Sequence, residues 1–349
     1  MRVLMVALVV VLALGAFGST TEAQDSLPVS LFERYIESLR RQTGIPGLSA
    51  AIVQDGRVAW EKGFGYQDVG GLVAATPDTP YPIGDLSQTL SATLLLHRCV
   101  ERSHMDISDD VRRWDPSVGA GGTTIGQLLS HTSPSGDFNY DPARFAGLTA
   151  VVEQCAGGAY PQLVADQLLD FLGMSQSVPG ADLGDPSSAN RGWFSSGALD
   201  RYAAVLGRQA LPYRIDSRGR PTRGDAALDA LDASTGIVST VRDLARFDAA
   251  LDDGTLLDAA TRSGAWTRVA SGQMGLGWFV QDARGERIVW HFGLTRDAYS
   301  SLVIKVPARR LTLILLANSD GLVGPPYNLS NGSLTSNLFA SVFLSLFVG

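Results

Sequence analysis

The chain has 349 residues, 45% hydrophobic and 18% charged, enough to bury one large core or two linked ones and too apolar for a disordered chain. Its formal net charge of -7 gives no basic stripe, so no nucleic-acid partner is expected. Only Lys62 and Lys305 are lysines; arginine supplies the other positive charges.

Met1-Arg2 is a short positive start, Val3 to Phe17 an apolar run, and Thr21-Glu22-Ala23 a small-x-small cleavage pattern. Residues 1–23 therefore read as an export signal, with maturation near Gln24 and a periplasmic or extracellular destination. The run is short against the ~20 residues of a membrane span, so membrane contact is expected only through this cleaved signal.

Leu31 to Gln42 carries a helical apolar stripe, stopped by Gly44-Ile45-Pro46-Gly47. Leu48–Val53 and Arg57–Gly63 are strand-like, joined by an Asp55-Gly56 turn of the hairpin type. Gly63 to Pro80 reads as an irregular connection, and Tyr81 to Cys99 as a turn feeding a long apolar helix. A threonine N-cap pattern opens a short helix before His131, and Pro134–Pro142 is a loop. Helical periodicity returns over 143–156, 160–172 and 198–209, with loops over 180–192 and 212–224. Ser239 or Thr240 caps a helix reaching about Leu251. Strands follow over 276–281, 287–291, 300–306 and 311–317, with turns at Asp282–Gly285 and Pro307–Arg310. Leu338–Phe347 is a closing helix packed on the sheet.

Strands at both ends and helices between them predict an α+β fold. One antiparallel sheet is built from both chain ends and flanked by helices, with an inserted all-helical region. The expected division is 24–80 plus 235–349 for the sheet-and-helix part and 81–234 for the insertion. Cys99 and Cys155 both lie in helical patterns and are read as buried thiols packing as small hydrophobes, the rival reading being a disulfide. No Cys-x-x-Cys or His-Glu-x-x-His occurs, and the four histidines lack ligand spacing, so no metal and no cofactor is expected.

The order of Gly44-Ile-Pro-Gly-Leu-Ser49, Gly63-Phe-Gly-Tyr66, Thr79-Pro-Tyr-Pro-Ile-Gly84, Leu128-Leu-Ser-His-Thr-Ser133, Ser234–Phe247, His291-Phe-Gly293 and Leu316-Ala-Asn-Ser319 resembles the serine β-lactamase and penicillin-binding family, in particular its class C-like and esterase-like branch. The likeness runs from about Ile45 to Asn318. It implies a β-lactamase/transpeptidase-like fold and covalent chemistry. A serine at a helix start attacks an amide or ester, and a lysine three residues on takes its proton. A Tyr-x-Asn tyrosine and a Lys/His-Thr-Gly strand assist, and backbone N–H groups hold the oxyanion.

Laid on this chain, the serine position is Asp85 and the lysine position is Gln88. The tyrosine is Tyr140 with Pro142 in place of its asparagine, and the strand motif is His291-Phe292-Gly293. No Ser-x-x-Lys stands elsewhere, since Ala59 and Leu302 precede the two lysines by three, and no Gly-x-Ser-x-Gly occurs. Asp85 and Gln88 have a structural reading as a capping box at the helix start. The catalytic alternatives are Ser87 as nucleophile, Asp85 as an attacking carboxylate, and Tyr140 with His291 as an acid–base pair. Ser87 sits two residues on along a helix and faces away from position 85. His131 reads as a structural hydrogen-bonder. Pro142 and Phe292 remove polar contacts, which predicts a dry cleft.

The reading that follows is an exported pseudoenzyme whose pocket binds a small molecule, peptide, cell-wall fragment or partner. The alternatives are a hydrolase of esters, amides or lactams using Tyr140, His291 and Gly293, or an interaction domain without a pocket.

Overall fold

The computed structural model describes residues 27–118, 121–225, 230–269 and 272–349, so the segment read as an export signal lies outside the described residues. The chain opens with helix α1 (Leu27–Gln42) and strands β1 (Gly47–Gln54), β2 (Arg57–Asp68), β3 (Val73–Ala74) and β4 (Tyr81–Pro82). The middle holds helices α2 (Ser87–Leu95), α3 (Ile125–Leu129), α4 (Pro142–Ala146), α5 (Leu148–Ala156), α6 (Tyr160–Val164) and α7 (Ser196–Leu206). Strands β5 (Tyr213–Ile215), β6 (Pro221–Arg223) and β7 (Val238–Ser239) lead to α8 (Val241–Asp252) and α9 (Ala259–Ala265). Last come β8 (Phe279–Ala283), β9 (Glu286–Thr295), β10 (Tyr299–Val306), β11 (Leu311–Ala317) and α10 (Leu338–Phe347).

Strands from both ends form one antiparallel sheet in the order β3-β2-β1-β11-β10-β9-β8, with β1 against β11 joining the two halves. Alternation along the central strands sends side chains to opposite faces. Leu48, Ala50, Ile52, Leu302, Ile304, Leu313 and Leu315 pack with Phe32, Ile36 and Phe343 of α1 and α10. Ala51, Val53, Val303, Ile314 and Leu316 face the other way, toward α2 and α8. Helices therefore cover both faces of the central strands, while β2 and β3 at one edge are mostly half-buried or exposed.

The hairpin signals hold for a physical reason. Asp55 and Gly56 both take positive φ, 53° and 73°, as do Arg284 and Gly285 at 55° and 78°, giving two-residue turns whose twist matches the strands. Thr124 caps α3 with a reciprocal box to Gln127, and Thr240 rather than Ser239 caps α8 by accepting from the Asp243 N–H.

Several expectations are corrected. Tyr81 does not begin a helix: Tyr81 and Pro82 pair with Ser239 and Val238, a 3₁₀ turn spans Gly84–Leu86, and α2 starts at Ser87. A left-handed Gly84 (φ 56°) interrupts the right-handed backbone between Ile83 and the helix. The middle of the chain is not all helical, since β5 and β6 pair where a loop was expected. Cys99 and Cys155 are not free thiols but a disulfide, with Cα atoms 6.0 Å apart. They were read as separate core residues because each periodicity is local, whereas the bridge depends on the helical turns at 96–100 and 148–156 packing together.

Candidate functional site

The site is assembled where the start of α2 meets β9 and the loop before α4. Ser301 Oγ donates to the Ile83 carbonyl at 2.8 Å, fixing the turn that presents Asp85 against the sheet. Gly293 lies under that carbonyl, where any Cβ would overlap the Ile83 oxygen. Its glycine is thus required by close approach of the two backbones. Phe292 and His291 precede it on β9, both buried.

Ser87 is fully buried, and its Oγ accepts from the Ile237 N–H at 3.3 Å, so it is spent on tying α2 to the strand before α8. Pro142 occupies the first turn of α4 behind an Asp141 N-cap, which accepts from the Arg144 N–H at 3.2 Å. Proline suits that place because its missing N–H would have no helical partner.

Ile83 and Leu86, which precede the Gly84–Leu86 turn and α2, make no side-chain cap, and the Gln88 side chain reaches His131 and Tyr140. His131, held at φ 52°, receives the Asp141 N–H on Nδ1 at 2.9 Å. A backbone N–H can only donate, so Nδ1 is the accepting nitrogen and the proton of the neutral ring sits on Nε2. Nε2 then donates to Gln88 Oε1 at 2.8 Å. That orients the amide, whose Nε2 donates to the Tyr140 hydroxyl oxygen at 3.3 Å. The Tyr140 O–H in turn donates to Asp85 Oδ2 at 3.3 Å. Four hydrogen bonds, all running one way, end on a carboxylate.

The charges agree with this direction. Burial first, then the neighbouring His291 and Arg144, push His131 down to about 3, so it is neutral at physiological pH. Burial, followed by the adjacent Asp85 carboxylate, holds the Tyr140 phenol well above its ordinary range, which keeps its proton in place. Burial brings His291 down to about 4. Its Nδ1 lies 2.9 Å from the Phe292 N–H, and its Nε2 is buried without a hydrogen-bond partner among the described residues. His291 and Tyr140 come together only as rings, with centroids 6.2 Å apart, and no hydrogen bond between them is present among the described residues.

Aromatic rings fill the remaining space. Tyr140 stacks on His131 at 4.5 Å and leans on Phe279 at 5.5 Å and Phe292 at 5.4 Å, while Phe279 stacks on Trp290 at 4.3 Å. The wall behind the tyrosine is aromatic, with Phe292 and Phe279 against its ring. Phe279 and His131 were not singled out as site residues by the sequence. The one signal for His131 was its place in Leu128–Ser133. Among the described residues no group of three or more His, Cys, Asp or Glu could hold a metal ion.

The Beta-lactamase family model matches residues 32–329. The chain belongs to the β-lactamase family. Among β-lactamase relatives, the putative penicillin-binding protein PbpX of Bacillus subtilis (strain 168) is 23% identical over 274 residues. The match covers 70% of this chain and 64% of PbpX, so the chain spans less than two-thirds of that relative. The octameric penicillin-binding protein homologue from Pyrococcus abyssi superposes with a TM-score of 0.70 at 20% identity, over 84% of this chain and 74% of that one. A class C β-lactamase from Rhodobacter sphaeroides gives 0.68 at 17% identity, over 92% and 100%. At such identities the likeness is one of fold, and it places this chain's sheet and helices in the β-lactamase architecture.

Proposed function

We propose that this member of the β-lactamase family is an exported pseudoenzyme, whose site has exchanged acyl transfer for binding. One observation carries the reading. The positions where the resemblance puts a nucleophile and its base hold Asp85 and Gln88, and Gln88 is built into a one-way hydrogen-bond chain from His131 through Tyr140 to Asp85. An amide at that position has no proton-accepting nitrogen, and the hydroxyl of Ser87 is turned into the core. Groups that act as a unit lose many powers of ten in rate when one is removed. The ligand class in this reading is a small molecule, peptide or cell-wall fragment. Export is supported by residues 1–23 and by the Cys99–Cys155 disulfide, since disulfides persist in oxidising compartments.

The test is intact mass spectrometry after incubation with a fluorophosphonate and with a penicillin. The expected outcome is no adduct on the wild type. An adduct on the Asp85→Ser/Gln88→Lys variant would mean that the frame still suits acylation. A wild-type adduct mapped to any residue would replace this reading with that of a hydrolase using altered residues.

A further inference from the structure

A second polar cluster, separate from the Asp85 site, lies between α8 and the sheet. Lys305 of β10 is fully buried, and Thr312 is its cross-strand neighbour on β11. Asp248 and Asp252, one turn apart on α8, each bring an oxygen to 2.8 Å from Lys305 Nζ. The three side chains are 0%, 5% and 6% exposed for Lys305, Asp248 and Asp252. Thr312 Oγ1 donates to Asp248 Oδ1 at 2.9 Å, and the second oxygen of each aspartate is buried without a hydrogen-bond partner among the described residues. The Trp266 ring lies 5.6 Å from the nitrogen.

We propose that this cluster is a covalent modification site, where Lys305 and Asp248 condense into an amide crosslink between β10 and α8, with Asp252 carrying the protons. Three requirements of such a condensation are met together. The amine is held against the carboxyl group, which replaces a bimolecular encounter by a fixed one. Water is excluded, and burial raises the Asp248 carboxyl above its usual range, against the pull of Lys305 and with the help of Asp252, which favours the protonated electrophile. A second acid stands within reach of the nitrogen.

Asp252 takes a proton from the ammonium, freeing the electron pair on Nζ. Nζ attacks Cγ of Asp248, and charge moves onto Oδ1, where the Thr312 hydroxyl donates. Asp252 returns that proton to Oδ2 and carries a second proton from the nitrogen to the same oxygen, the Cγ–Oδ2 bond breaks, and one water leaves. The sum is ammonium plus carboxylate giving amide plus water; nothing is oxidised or reduced, and no co-reactant enters. Asp248 is the electrophile because it alone of the pair accepts from Thr312 among the described residues.

The experiment is intact mass measurement of the purified full chain after thiol reduction, with peptide mapping. The expected wild type is lighter than its sequence by one water, and digestion yields a branched peptide joining the Asp248 and Lys305 segments. Lys305→Met and Asp248→Ala should each restore the full mass. Asp252→Asn should leave an uncrosslinked fraction that converts slowly. A wild type at full mass would overturn the proposal, whether or not the variants fold. So would a loss of water mapped to a succinimide at Asp55-Gly56 or Asp253-Gly254.

Discussion

The two buried polar clusters of this molecule differ in charge and in how completely they are satisfied. Around Asp85, two buried groups, His131 and Gln88, are neutral, and each hydrogen of the relay has an acceptor, down to a carboxylate at the edge of the core. Around Lys305, a cation faces two carboxylates in full enclosure, and two carboxylate oxygens have no hydrogen bond among the described residues. A neutral network costs little to bury once its direction is set, and a single backbone N–H at Asp141 sets it. A charged cluster must be held by its own attraction, so it depends on every member being present.

The largest expected effect tests that dependence. Lys305→Met leaves two carboxylates buried without their cation, removes the proposed crosslink as well, and should lose at least about 3–5 kcal/mol of unfolding free energy in denaturant titration. Replacing all three groups, as Lys305→Met/Asp248→Leu/Asp252→Leu, should recover the part that comes from the unpaired carboxylates. If the single variant is nearly neutral, the contrast between the clusters fails.

The histidines come next. Their folded values, about 3 for His131 and about 4 for His291, lie below the ordinary 6.5, so between these limits the unfolded chain binds more protons. Stability should be full above pH 6.5 and fall as pH drops, by about 2 kcal/mol or more per histidine at the acid end. Thermal melts at stepped pH check this, and His291→Phe should flatten the fall between pH 6.5 and 4. The smallest effect belongs to the relay. Tyr140→Phe removes the acceptor of the Gln88 amide and should cost about 1–2 kcal/mol. In a double-mutant cycle with Gln88→Met, a coupling near zero would show that the chain of bonds is not energetically connected.

Much of the architecture was legible because it is local. Turn chemistry at Asp55-Gly56 and Asp282–Gly285, a threonine cap before His131, a cap at Ser239 or Thr240, and the strand-like runs of β1, β10 and β11 each rest on neighbours in sequence. Tyr81 and Pro82 misled because a short strand pairing with β7 overrode the helical pattern that follows. At the site, the replacements at positions 85 and 88 could be read directly, but their roles could not. Asp-x-x-Gln is a good capping box by spacing alone, yet Gln88 instead meets groups 43 and 52 residues away.

The sequence by itself determined the long strands and their place at both chain ends, the main helices between them and the absence of the Ser-x-x-Lys pair, all matters of residue identity and short spacing. Tertiary structure alone decided that Cys99 meets Cys155, that His131 aims Gln88 at Tyr140, and that Lys305 is enclosed with Asp248 and Asp252. Those contacts arise only when elements distant in sequence close on one another, and they give His131, Gln88, Tyr140 and Lys305 partners that no spacing encodes.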